Sequence, residues 1–104
     1  MRASSKAAAR EPLLSAPRWR VEFDRDAAKE LRKHGEPARR IILRYLREHI
    51  ATAGDPRRFS KPLAAEFSGL WRYRVGDYRL VVTFEDDRLI VLVLRVAHRR
   101  EVYD

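Results

Sequence analysis

Trp71-Arg72-Tyr73-Arg74-Val75-Gly76-Asp77-Tyr78-Arg79-Leu80 is the stretch that decides the fold of this chain. Apolar and basic residues alternate from Trp71 to Val75, the period of a strand with one buried face. Gly76-Asp77 then makes a two-residue turn of the kind that prefers positive φ. Such a turn pairs Val75 with Tyr78 and Arg74 with Arg79. Side chains alternate along a strand, so Arg72 and Arg74 share one face while Trp71, Tyr73 and Val75 share the other. Like charges directly opposite each other destabilise a hairpin. Stability alone therefore gives little reason to place three arginines here. The pattern points to an anion site, most simply a phosphate, whose oxygens match the guanidinium fork. The bland reading is a set of solvated arginines paired with nearby acids, although Asp77 can serve only one of them.

Downstream, Tyr78 to Phe84 reads as the second strand of the hairpin, with Tyr78, Leu80, Val82 and Phe84 as its apolar face. Glu85-Asp86-Asp87 makes the next turn, and Leu89 to Ala97 the last strand. That strand has two possible faces: Ile90, Leu92, Leu94 and Val96, or Val91, Val93, Arg95 and Ala97. Burying the first set keeps Arg95 out of the core. Arg95 is then expected on the basic face, with Arg99 beside it if the backbone stays extended. This arrangement requires a longer turn or a bulge. A strict two-residue turn at Asp86-Asp87 shifts the alternation by one residue and brings His98 to that face instead.

Upstream, Trp19-Arg20-Val21-Glu22-Phe23 alternates like a half-buried strand. Asp24 offers an N-cap, and a helix follows to about His34, with Gly35 suited to the left-handed position after it. Pro37 fits the first position of a second helix. Ala38, Ile41, Ile42, Tyr45, Leu46, His49 and Ile50 then recur at helical spacing, and Gly54-Asp55-Pro56 stops the helix. Its other side carries Arg39, Arg40, Arg44, Arg47 and Glu48, which reads better as a solvated face than as an RNA contact. Residues 55–68 read as a loop anchored by Phe59, Leu63 and Phe67. The order β-α-α-β-β-β predicts an α+β domain, a helical hairpin packed on one face of a small, mostly antiparallel sheet.

The chain has 104 residues, the length of one domain, here assigned to residues 18–104. Residues 1–17 are rich in Ala and Ser and read as a disordered extension; they faintly resemble a transit peptide but lack the apolar segment of a secretory signal. The absence of cysteine excludes disulfides, thiolate metal sites and a cysteine nucleophile. His34, His49 and His98 lie in separate segments without metal-ligand spacing, so no metal or other cofactor is expected. Leu89 to Leu94, the longest apolar run, is too short to cross a bilayer, and a cytoplasmic location is expected. The net charge of +8, from 23 basic and 15 acidic residues, suggests an anionic partner.

The hairpin Gly69 to Leu80, with Lys61-Pro62-Leu63 before it and Val96-Ala97-His98-Arg99-Arg100-Glu101-Val102-Tyr103 after it, resembles the RelE/ParE toxin superfamily of bacterial type II toxin–antitoxin systems, the RelE branch more closely. The resemblance covers residues 18–104. It implies an mRNA interferase: a ribosome-dependent, metal-independent endoribonuclease that cuts mRNA, inhibits translation and is held inactive in a hetero-oligomer with a cognate acidic antitoxin. It also implies roles for Arg72 and Arg74 on the first strand of the hairpin, Arg79 on the next, and Arg99 and Tyr103 at the end. The alternation of the last strand, not the resemblance, adds Arg95 as a further RNA or phosphate ligand. Where relatives carry two lysines this chain carries Arg72 and Arg74, and arginine does not deprotonate near neutral pH. A general base must then be another group, Tyr103 or His98. Tyr103 reads as readily as a plain packing residue as a catalytic one, and stacking on a base is a further alternative. The alternative within the superfamily is a ParE-like, non-enzymatic inhibitor of DNA gyrase, whose members generally lack the complete constellation.

Overall fold

The computed structural model describes residues 18–101. The expected extension at residues 1–17 and the candidate Tyr103 lie outside the described residues. Two helices pack on a five-stranded sheet of order β1-β5-β4-β3-β2, an α+β arrangement. The strands are β1 (Arg20–Phe23), β2 (Ser60–Pro62), β3 (Trp71–Val75), β4 (Tyr78–Glu85) and β5 (Ile90–His98). Among the described residues only β1 pairs parallel, against β5, from Arg20 opposite Ile90 to Phe23 opposite Val93. β2 is an addition within the expected loop. It pairs antiparallel with the edge of β3, Lys61 standing opposite Arg72.

Helix α1 (Arg25–Lys33) starts where Asp24 accepts a hydrogen bond from the Ala27 amide at 2.8 Å. Gly35 has φ +90° and ψ 171°. That is an extended conformation with positive φ rather than the expected left-handed one, because Gly35 both leaves α1 and opens α2 (Glu36–Tyr45). A π turn, Leu46–Ile50, continues α2, closed by the Ala51 amide on the Leu46 carbonyl at 2.7 Å. Ala38, Ile42, Leu46 and Ile50 are buried at intervals of four residues. An α-helix turns about 100° per residue, so that spacing drifts around the axis. The wider π turn offsets the drift and keeps Leu46 and Ile50 on the sheet. Ile41 is 52% exposed and His49 is exposed as well, both contrary to the apolar stripe read from sequence. His49 instead packs on the Tyr45 and Phe59 rings at the surface.

The core joins this helical face to Tyr73, Val75, Leu80, Val82, Val91, Val93 and Val96. Tyr73 is fully buried, and its hydroxyl donates to the Pro56 carbonyl at 2.7 Å, which anchors the loop after α2. Burial pushes the Tyr73 phenol far above its ordinary pKa. On β5 the expected inward set is corrected. Val91 and Val93 face the helices, whereas Leu92 and Leu94 are half-buried and Ile90 is buried outside the main cluster. Val82 pairs with Val93 but Val81 pairs with Arg95, so Leu94 is the extra residue of a β-bulge. An extra residue reverses the alternation. The strand can therefore bury Val91, Val93 and Val96 while Arg95 points away from the core. The turn before it is also longer than two residues, with Glu85 opposite Ile90 and Leu89 at φ 54°.

Candidate anion-binding face of the sheet

The β3–β4 turn sets this face. Gly76 has φ +58°, which a side chain would resist, and Val75 stands opposite Tyr78 with Arg74 opposite Arg79. The next cross-strand row places Arg72 opposite Val81 and Val81 opposite Arg95. Arg79 stands opposite Ala97 on β5. Arg72, Arg74, Arg79 and Arg95 thus occupy three adjacent strands on the side of the sheet away from the helices. Small residues at Val81 and Ala97 leave a floor between them. Lys61 extends the second row on β2. It sits within a motif noted in the sequence, but only the pairing of that loop with β3 reveals the basic neighbour.

Each arginine is held differently. Arg79 Nη1 donates to the carbonyls of Tyr78 at 3.2 Å and Gly76 at 3.5 Å, which leans its head toward the turn. Arg74 is exposed and Arg72 half-buried. Arg95 Nε donates to Glu30 Oε2 at 3.0 Å, and the other Glu30 oxygen accepts from the Val96 amide at 2.7 Å. β1 ends opposite Val93, so Glu30 on α1 takes up a strand amide left without a partner strand. Glu30 thereby restrains Arg95 at the rim.

Arg99 follows β5 in a short 3-10 turn. Its amide donates to the Asp77 carbonyl at 2.7 Å, and its guanidinium lies 3.5 Å from the Asp77 carboxylate. The β3–β4 turn therefore holds Arg99 at the Arg74–Arg79 end of the face. His98 is placed elsewhere. It pairs with Tyr78 on the helix side, its ring 5.4 Å from the Tyr78 ring, and its Nδ1 accepts from the Arg100 amide. The structure does not bring His98 to the arginines. Glu101 accepts from the His98 amide at 2.8 Å, which holds its carboxyl below the ordinary range.

A groove of about 650 Å³ runs along the face. Arg72, Arg79, Arg95, Val81 and Ala97 line one side, with Leu63, Phe67 and Leu70 from the β2–β3 loop on the other and Glu66 and Glu101 also on its lining. Chemically this is a concave surface with several fixed cations and an apolar wall. It fits a polyanion that also carries flat apolar groups. Among the described residues no group of three or more metal-ligating side chains occurs, and no helix is long and apolar enough to cross a membrane.

A family model described as the ParE toxin of type II toxin–antitoxin system, parDE, matches residues 21–103. The chain is 41% identical over 49 residues to Toxin RelG of Mycobacterium tuberculosis, a stretch covering 47% of this chain and 56% of that protein. It therefore matches little more than half the length of this curated relative. In the crystal structure of the toxin–antitoxin complex RelBE2 from Mycobacterium tuberculosis, one chain superposes with a TM-score of 0.63 at 30% identity, over 83% of this chain and 95% of that one. A chain of the archaeal RelE–RelB complex from Pyrococcus horikoshii superposes with a TM-score of 0.59 at 21% identity, over 81% of this chain and 98% of that one; at that identity the likeness is one of fold.

Proposed function

The chain belongs to the ParE toxin family of type II toxin–antitoxin systems, and we propose that within it this protein is a ribosome-dependent endoribonuclease that cleaves mRNA without a metal. One observation carries the reading: Arg72, Arg74, Arg79 and Arg95 meet on one sheet face at the cost of a directly opposed Arg74–Arg79 pair. A catalyst of phosphoryl transfer needs fixed cations where charge accumulates. In the proposed step the ribose 2′-oxygen attacks the adjacent phosphorus and loses its proton. The bond from phosphorus to the 5′-oxygen breaks, and that oxygen takes up a proton. The products are a 2′,3′-cyclic phosphate and a 5′-hydroxyl.

Arg72, Arg74 and Arg79 bind the scissile phosphate and stabilise the added charge of the transition state. Arg99, tied to Asp77 beside them, assists at the phosphate or the leaving oxygen. Arginine keeps its proton throughout the neutral pH range, so these residues act as cations and not as bases. With His98 on the opposite side of the sheet, Tyr103 is the remaining candidate for the base, a role that would require neighbouring cations to lower its pKa. The proposed partners are the ribosome with its mRNA and a small acidic antitoxin from a neighbouring gene, in a cytoplasmic hetero-oligomer. Primer extension on a translated message after induction tests the reading. New cuts within codons are expected, and they should be lost in Arg79→Ala.

A second reading has its own support, since the matching family model is the one named for ParE. A ParE-like inhibitor of DNA gyrase would give a DNA-damage response with no new message ends. The opposed arginines favour the first reading, because binding a protein surface does not require that repulsive pair.

A further inference from the structure

Phe67 is 52% exposed and lines the same groove as Arg72, Arg79 and Arg95. It is also held in place. The Leu63 amide donates to the Leu70 carbonyl at 3.0 Å and closes the loop at its ends. Inside it, the Phe67 amide donates to the Ala64 carbonyl at 2.8 Å and the Leu70 amide to the Phe67 carbonyl at 3.0 Å. Thr83 of β4 donates its hydroxyl to the Gly69 carbonyl at 3.1 Å, which ties the loop to the sheet. An aromatic ring that burial does not account for thus stands on a hydrogen-bonded loop, with the half-buried Leu63 and Leu70 also on the groove wall.

We propose that this wall, with Phe67 at its centre, is a platform for an RNA base whose phosphate lies on Arg72 and Arg79. The proposal rests on the reading of the arginine face as a phosphate site. The groove's polarity sets the orientation of the nucleotide. Glu66 is the acidic residue of the loop, and its carboxylate repels phosphate on that side. The guanidinium groups of the floor attract it. Glu101 also lines the groove, so phosphate is held off both carboxylates and drawn to Arg72 and Arg79, with the base toward Phe67. The size fits, since sites for molecules of this scale span about 300–1,000 Å³. Stacking on a ring tolerates any base, because every base has a π-face. The wall therefore adds affinity for single-stranded RNA without fixing a sequence.

The test compares two probes by NMR titration of the full chain: a short single-stranded RNA and an abasic oligomer with the same number of phosphates. Wild type should bind the RNA more tightly. Phe67→Ala should weaken the RNA by at least about fivefold, which is ~1 kcal/mol and the low end for base–aromatic stacking. It should leave the abasic oligomer unchanged, and Phe67→Trp should restore the difference. Arg79→Ala should weaken both probes and flatten the salt dependence, as expected on losing a phosphate contact. Equal binding of the two probes by wild type, or an equal loss for both in Phe67→Ala, overturns the platform while leaving the phosphate site standing. If wild type binds neither probe, the platform and the phosphate reading fall together. Should Phe67→Ala leave RNA binding intact but weaken capture of the protein encoded by the neighbouring gene, the wall belongs to a protein partner and the inference is wrong.

Discussion

Replacing Arg74 or Arg79 by Gln should make the domain more stable as it becomes less active. The two residues stand directly opposite in the β3–β4 register, which puts their Cβ atoms about 5 Å apart. Two unit charges at about 5 Å repel by ~0.8 kcal/mol in a water-like dielectric. With a Debye length of about 10 Å at 0.1 M salt, ~0.5 kcal/mol survives; at 1 M, with about 3 Å, ~0.15 kcal/mol does. These are ceilings, because the guanidinium heads can splay and Arg79 already leans toward the Gly76 and Tyr78 carbonyls. Urea unfolding of Arg74→Gln, Arg79→Gln and the double variant gives the coupling directly. It should be repulsive by a few tenths of a kcal/mol at low salt and vanish at 1 M salt. Removing one donor from a charge-stabilising site typically costs about 10²–10³-fold in rate, so message cleavage should fall by that order in each single variant. An attractive coupling at low salt, or a loss of more than about 1 kcal/mol in Arg74→Gln, would refute the reasoning. Either result would mean that the arginines serve the fold.

The β5 bulge makes opposite predictions for adjacent residues. Val93→Asp should prevent folding, since it buries a carboxylate, whereas Leu92→Asp on the other face should leave a folded domain by circular dichroism. Glu30→Ala should destabilise the domain by about 1–3 kcal/mol, because it orphans the Val96 amide, and by releasing Arg95 it should tighten RNA binding at low salt. The bidentate Arg57–Asp86 pair, at 3.0 and 2.6 Å, holds the Asp86 carboxyl below its ordinary pKa. A depressed carboxylate pKa stabilises the folded state above the unfolded pKa, and that contribution fades as pH falls through the folded value. Asp86→Asn should therefore lower the thermal midpoint at neutral pH and shrink the midpoint's fall below about pH 4.

The hairpin at the centre of the site was legible because a two-residue turn leaves no freedom of register. Once Gly76-Asp77 is the turn, Arg74 must oppose Arg79 and Arg72 must share their face. The last strand was only half legible. Val91 and Val93 are as apolar as Leu92 and Leu94, and nothing local marks Leu94 as the residue to leave unpaired. The bulge is a tertiary solution that buries the valines and still turns Arg95 outward. His98 follows from the same phase, since beyond the bulge it must share the face of Val96 and Tyr78. β2 is not legible in the sequence because three residues carry no measurable period, and its pairing depends on the edge that β3 offers. The parallel contact of β1 with β5 joins segments about seventy residues apart, beyond any local pattern. In α2, a stripe based on a regular helix placed Ile41 and His49 inward, and the π turn and surface packing take them out.

The chemistry of the cut ends tests the central claim most directly. Ribosomes carrying a defined message are incubated with the full chain, and the new ends are examined by whether they accept ligation or labelling only after treatment with polynucleotide kinase. Attack by the 2′-oxygen predicts 5′-hydroxyl and 2′,3′-cyclic phosphate ends, strongly reduced in Arg79→Ala although that variant stays folded. Ends bearing a 5′-phosphate, or an undiminished yield from Arg79→Ala, would contradict it.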